Sequence, residues 1–504
     1  MDKQKLIKVA DYAMTTSLCV LLFLCFCFPA QSQLVKIPFL GLVCLAGLYE
    51  LFKSRGKVIT KQIWFWMLLY WIYNLIWSVL GFANEQPAAS SYFRLGVIWP
   101  VVFLLIIATI DRNRIQWLDR VIFIILSFQV VAVVLMIGYG FQWWPNLLRW
   151  IFPTSRVGIH LGYIHVTGHF IGGMAFTVPY VYSRFVIDKP QRNCMNAVYL
   201  TVWFVVIMAL VATSRRILLV LVVICALATI IVALLRKEDR KRMIVRSVCG
   251  LMITIVFIGC TVILTSNLAT NFLNKNYDEI YETTFEHHHD ASGKIKNVEN
   301  VVFNLAGTQK YIEMFGQEKV PVTEPNTEPN NVPSTETEPN SSTNPVTSPT
   351  EPSTLAPFVD RINSMLGELT GDSVRGRIIN GALKGWTESP VFGVGFGAQL
   401  PGYEKNASVG IYEMEFVVRL YTTGIVGLLF LLGLMLYVGI AGINQMRKAL
   451  SSLRMIAPCI VSYLGAAVAT VSNPYIFSGF DYLFMLFLPV AFLNCAIREQ
   501  EEKE

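Results

Sequence analysis

Residues 217–242 read ILLVLVVICALATIIVALLRKEDRKR, an apolar run with no charged side chain that ends in a block of five basic and two acidic residues. As a helix rising 1.5 Å per residue, such a run spans the hydrocarbon core of a bilayer, about 30 Å thick. The basic block marks the side kept in the cytoplasm. Working outward in both directions, runs of this kind recur along most of the chain, near residues 10–30, 34–52, 63–83, 93–110, 118–139, 165–186, 196–213, 216–235, 247–267, 416–443, 455–472 and 477–497. Apolar residues make up 54% of the 504 and charged residues 15%, a balance no soluble core of this size requires. The expected fold class is an all-α polytopic membrane protein with about twelve transmembrane helices and one large extracytoplasmic loop between helices nine and ten. It divides into spans one to nine over 1–267, the loop over 268–408, spans ten to twelve over 409–497, and a tail over 498–504.

Charge sets the expected orientation. Lys3, Lys5 and Lys8 precede the first span, Lys53, Arg55, Lys57 and Lys61 follow the second, and Arg112, Arg114 and Arg120 follow the fourth, which places both termini in the cytoplasm. The first span follows a basic cluster and no small-residue cleavage site succeeds it, so it reads as a retained signal-anchor. The net charge of +7 is spread over short membrane-flanking loops and gives no basic patch for nucleic acid. All ten cysteines fall in spans or on the cytoplasmic side, which excludes a disulfide-stapled outer domain.

Against that topology, Arg94, Arg156, Arg215, Arg216, Arg375, Arg377 and Arg419 stand out, because they fall on the outer side where basic residues are depleted. An anionic partner, simplest a phosphorylated lipid, accounts for them. Within the outer loop, residues 268–320 have the mixed composition of short helices. Residues 321–357 lack Lys, Arg and aromatics and repeat Thr-Glu-Pro, as a disordered spacer does. Order signals return at Phe358. Asp372 or Ser373 can cap a helix with Ile378, Ile379, Ala382, Leu383 and Trp386 on one face, and Glu388-Ser389-Pro390 stops it. Arg375 and Arg377 in its first turn oppose the helix dipole, which an anion held there would explain. The following Pro390-Val-Phe-Gly-Val-Gly-Phe-Gly397 suits a re-entrant segment whose glycines admit a ligand or a neighbouring helix.

These stretches resemble the O-antigen ligase and polymerase (Wzy-type) family of bacterial surface polysaccharide enzymes. Arg375 lies fifteen residues ahead of Pro390-Val-Phe-Gly-Val-Gly, the spacing of the family's arginine and Pro-Leu-Phe-Gly-x-Gly turn. Thr213-Ser214-Arg215 is similar to the family's Thr-x-Ser-Arg, with Arg216 where a glycine is usual. Arg156 … Leu161-Gly162-Tyr163-Ile164-His165 is similar to its Arg … Leu-Gly-Phe-x-His-Pro-Asn, with Val166 and Thr167 replacing Pro-Asn. Glu413 stands eleven residues before Gly424-Ile425-Val426-Gly427, where ligases of the family carry a catalytic histidine and many polymerases an acidic residue.

The resemblance implies a metal-independent membrane glycosyltransferase without cofactors in a bacterial cytoplasmic membrane. It would polymerise polyprenyl-pyrophosphate-linked oligosaccharide repeats into capsule, O-antigen or exopolysaccharide on the outer face. Its partners would be that glycolipid, membrane lipid, a flippase and a chain-length co-polymerase. Guanidinium groups suit the departing pyrophosphate, each contact in a dry site contributing about 2–4 kcal/mol. Arg156, Arg215 and Arg375 lead that set, with Arg377, Arg216 and Arg419 behind them. Glu413, or alternatively His165, would take the acceptor's proton. A ligase with another acceptor is the near alternative, and a lipid-linked oligosaccharide flippase or transporter the alternative of another class.

Plainer roles compete for several of these residues. Glu415 and Arg419 have the spacing of an intrahelical ion pair; Arg216 can snorkel and Arg94 can anchor its helix at lipid phosphates. His165 and His169 are expected to share a helical face without a third metal ligand, and Glu286-His287-His288-His289-Asp290 reads as a solvated run. Asp481, in the apolar start of the last span, is an intramembrane ionisable residue and so a functional suspect, with pairing to an outer arginine as its plainer role.

Overall fold

A computed structural model describes residues 3–29, 31, 33–140, 155–160, 163–188, 193–213, 216–234, 240–275, 300–304, 312–314, 374–403, 412–448 and 450–502. The Thr-Glu-Pro spacer, the His287–His289 run, Asp372, Ser373 and Arg215 lie outside them. Helices dominate: α1 (Lys3–Cys27), α2 (Gln33–Lys53), α3 (Lys61–Ala83), α4 (Ala89–Phe93) with a π turn over Arg94–Ile98, α5 (Trp99–Thr109), α6 (Arg112–Gly140), α7 (Ile171–Ile187), α8 (Asn193–Ala212), α9 (Arg216–Leu234), α10 (Arg240–Lys275), α11 (Val374–Glu388), α12 (Glu415–Lys448), α13 (Leu450–Ser472) and α14 (Phe480–Glu501). Among the described residues, ten helices are long and apolar enough to cross a membrane, as in a polytopic membrane protein. The expected sixth and seventh spans are also helical, over Ile171–Ile187 and within Asn193–Ala212, but shorter in their apolar part.

Two expectations change. The sixth span does not begin at residue 165, because Tyr163–Thr167 (β2) pairs antiparallel with Arg156–His160 (β1), setting buried Val166 opposite buried Val157. β1 pairs in turn with Asn300–Asn304 (β3), and β3 with Ile312–Met314 (β4), in the order β2-β1-β3-β4. Residues 300–304 and 312–314 are therefore strands where short helices were expected. Their Val, Ile and Phe content favours a pleated, half-buried surface over a helix. The sheet is a small non-helical element against α6, α8 and α10.

The core gathers around α14, apolar on all sides and buried along nearly its whole length against α5, α12 and α13. Because lipid is as apolar as leucine, polar contacts help fix neighbours in such a bundle. Gln129 in α6 donates to the carbonyls of Phe26 (3.2 Å) and Phe170 (3.0 Å) and accepts from Thr177 (2.9 Å), tying α1, α6 and α7 together.

The feature that positions Arg375 and Glu413 is a break in α12. Gly424 adopts φ 63° and ψ −175° inside that helix, and the glycine-rich segment after α11 fills the notch. Val394 N donates to Tyr421 O (3.4 Å) and Gly395 N to Thr422 O (2.8 Å), while Ile425 N and Val426 N donate to Pro390 O (2.9 Å) and Val391 O (3.1 Å). Non-helical backbone at membrane depth is tolerated only when its groups are satisfied in this way. The segment also lies on α3, where Phe396 N donates to Trp77 O (2.9 Å) and Trp77 Nε1 to Phe392 O (2.8 Å). Gly395 sits at φ +92°, and a Cβ there would be 2.2 Å from Gly81 N. Gly395→Ala is expected to destabilise the protein by about 2–4 kcal/mol, from backbone strain plus overpacking. Thermal unfolding in detergent tests this against Gly41→Ala, whose Cβ meets nothing within 4 Å. Equal midpoints for the two variants would refute the close-approach argument.

Candidate functional site

The first turn of α11 carries Arg375 and Arg377, and this helix ends at Glu388 ahead of Pro390, the boundary the sequence implies. Its apolar face is buried where it meets the loop and α12: Ile378 and Ala382 cluster with Leu400, Tyr403, Tyr412, Val418 and Tyr421. Two hydrogen bonds secure the seat, from Trp386 Nε1 to Pro390 O (2.9 Å) and from Tyr421 Oη to Gln399 O (3.1 Å). With Ile378 and Ala382 turned inward, Arg377 is left exposed.

Arg375 Nε donates to Glu413 Oε2 at 2.9 Å, with the two side chains 34% and 37% exposed. One N–H of the guanidinium is thereby used, and its two terminal nitrogens make no other ion pair among the described residues. Tyr403 stands beside the pair. Burial pushes its phenol above the usual range, the Glu413 charge pushes the same way, and the Arg377 charge opposes them. Two arginines, a carboxylate and a phenol thus share one partly open patch beside the Gly-rich segment. Sequence reasoning missed Tyr403; its only local signal was the turn at Pro401-Gly402 just before it.

Glu413 and Glu415, two residues apart, have opposite surroundings. Met414 between them takes φ 61°, a conformation uncommon for a residue other than glycine and a place where strain is stored. This turn leaves Glu413 outside with Arg375 and makes Glu415 the first residue of α12. There, Arg419 Nε donates to Glu415 Oε1 (2.6 Å), with side chains only 4% and 2% exposed. The Arg419 guanidinium carbon lies 5.1 Å from the ring centre of Tyr92, 4.6 Å from Phe396 and 4.7 Å from Phe477. Walled by rings and committed to Glu415, Arg419 has the plainer of its two expected roles, a buried ion pair reinforced by cation–π contacts, and no open face for a phosphate.

Of the remaining sequence candidates, Arg156 and His165 have their backbone on a different element from Arg375. Arg156 opens β1 opposite Thr167 and Asn304, and His165 in β2 faces Gly158, so both belong to the sheet resting on α6, α8 and α10, whereas Arg375 rests on α12. His165 and His169 do not share a helical face, since the first is in a strand and the second in the turn before α7. Arg216 begins α9, and its side chain, like Arg215, is outside the described residues. Arg94 is exposed at the start of the π turn, 3.5 Å from Ser91 Oγ. Among the described residues Asp481 has a lysine as its ion-pair partner: Lys36 Nζ donates to its Oδ1 at 2.8 Å and to Phe28 O at 2.7 Å, in a site where the lysine side chain is 2% exposed. No protein-family model matches the chain, and no curated protein is significantly similar to it.

Proposed function

We propose that this protein is a polysaccharide polymerase that joins polyprenyl-pyrophosphate-linked oligosaccharide repeats on the outer face of a bacterial cytoplasmic membrane. In this reading α7 and α8 supply the eleventh and twelfth crossings and both termini are cytoplasmic. The observation that carries the proposal is the contact of Arg375 with Glu413, 38 residues apart in sequence, because it joins the two stretches most similar to the polymerase motifs into one partly open patch. The hydroxyl of an acceptor repeat attacks the anomeric carbon of the donor, forming the new glycosidic C–O bond as the bond from that carbon to the pyrophosphate breaks. The hydroxyl proton passes to Glu413. The terminal nitrogens of Arg375, with Arg377, bind the departing pyrophosphate, a diphosphate being matched to a planar guanidinium fork. Arg156, Arg215 and His165 remain assigned from sequence resemblance, and Arg216 from its expected outer position alone.

Gel analysis of surface glycan from a strain lacking the gene tests the proposal. Single-repeat product is expected. Long chains that are made but not transferred would instead identify a ligase, and repeats trapped on the inner leaflet a flippase. Purified protein in detergent is further expected to lengthen lipid-linked chains without any membrane to cross.

A further inference from the structure

At the other end of the bundle, where Arg112 meets Glu499 (3.4 Å) and Arg114 meets Asp11, a cavity of about 260 Å³ opens among the ends of α6, α7, α13 and α14. The distribution of Lys and Arg assigns this end to the cytoplasm. Its charged lining is Arg112, Asp119, Arg184, Arg454 and Glu499, with Gln116 and Tyr180 among them. Part of that lining is braced. Arg184 donates to Asp119 Oδ2 (2.9 Å), Asp188 Oδ1 (3.3 Å) and Arg454 O (3.2 Å), and Tyr180 Oη donates to Asp119 Oδ1 (2.8 Å).

Two lining side chains nevertheless hold a buried polar atom without a hydrogen-bond partner, the Nε donor of Arg184 and the Oε1 acceptor of Glu499. Those two atoms are closed off from solvent, but each side chain keeps part of its surface exposed, 20% for Arg184 and 18% for Glu499. Arg454 is exposed and makes no side-chain ion pair among the described residues. Three guanidinium groups facing two carboxylates give a nearly balanced charge, which suits a zwitterion better than a simple anion. Exposed Trp117 on α6 has the Arg120 guanidinium 4.8 Å from its ring centre, and tryptophan near a span end marks headgroup depth.

We propose that this cavity seats the phosphoethanolamine headgroup of an inner-leaflet phospholipid, with Arg454 and Arg184 on its phosphate and Glu499 on its ammonium. Basic recesses between helices on the cytoplasmic side are established places for lipid headgroups, and the carboxylate adds selection at the far end.

The test uses full-length protein in nanodiscs of mixed phosphatidylethanolamine, phosphatidylcholine and phosphatidylglycerol, with retained lipid read by native mass spectrometry. Ethanolamine lipid is expected to be retained about tenfold over choline lipid, whose quaternary ammonium cannot donate a hydrogen bond to Glu499. Arg454→Ala should lower retention of all three lipids, and Glu499→Gln should erase the ethanolamine preference while leaving phospholipid bound. Millimolar inorganic phosphate should leave the lipid in place; its release by phosphate would reveal a plain anion site and overturn the proposal. Equal retention of ethanolamine and choline lipids, a preference for phosphatidylglycerol, or wild-type retention by Arg454→Ala would overturn it as well. If Arg454→Ala fails to fold, the lipid ratio of the wild-type protein decides alone.

Discussion

Arg375→Ala is expected to lower chain lengthening by purified protein at least about a hundredfold, the scale of removing one pre-placed donor from a developing negative charge. The thermal midpoint in detergent should barely move, because this side chain is one-third exposed and the packing of α11 depends on Ile378 and Ala382. Arg375→Lys should restore little: an ammonium is a single point charge, and it cannot hold Glu413 through one N–H while offering a planar fork to a diphosphate. Glu413→Gln is the companion variant. Its amide oxygen can still accept from Arg375 Nε, so the geometry persists while the proton acceptor is lost. Full-length polymer from both Arg375→Ala and Glu413→Gln would remove the assignment, whereas loss in the first alone would pass the proton to solvent or to His165.

Lys36→Met should cost the protein about 3–5 kcal/mol, the usual penalty for leaving one partner of a buried ion pair uncompensated. Lys36 Nζ bridges Phe28 O and Asp481 Oδ1, and Gln33 Nε2 approaches the other Asp481 oxygen at 3.5 Å, so the loss strikes where α1, α2 and α14 meet. The readouts are the amount recovered in membranes and resistance to unfolding in detergent. Lys36→Met combined with Asp481→Leu should recover most of the loss, since a packed apolar pair often equals a buried ionic one. If the double variant is as unstable as the single, the two residues do not act as a pair.

Hydropathy made the membrane helices legible, because long apolar runs bounded by Lys and Arg have few other physical solutions. The limits of α11 and the Glu415–Arg419 pair were equally visible, the first from a Ser-Pro stop and the second from a four-residue spacing within one helix. What escaped depends on chain-distant partners. Lys36 finds Asp481 445 residues away, and nothing near either residue signals the other. Tyr163–Thr167 adjoins an apolar helix and shares its composition, so only pairing with Arg156–His160 reveals a strand. The separation of Glu413 from Glu415 hinges on Met414, a residue type with no preference for the left-handed region.

The exchange of backbone partners at Gly424 bears on how α12 is made. In an unbroken helix Ile425 would donate to Tyr421 and Val426 to Thr422; here those same four groups bond instead to residues 390–395. An isolated segment entering the bilayer can close these bonds on itself at no loss, so it is free to insert as one continuous rod. The notch, and with it the patch holding Arg375 and Glu413, therefore depends on tertiary packing of the glycine segment and not on α12 alone.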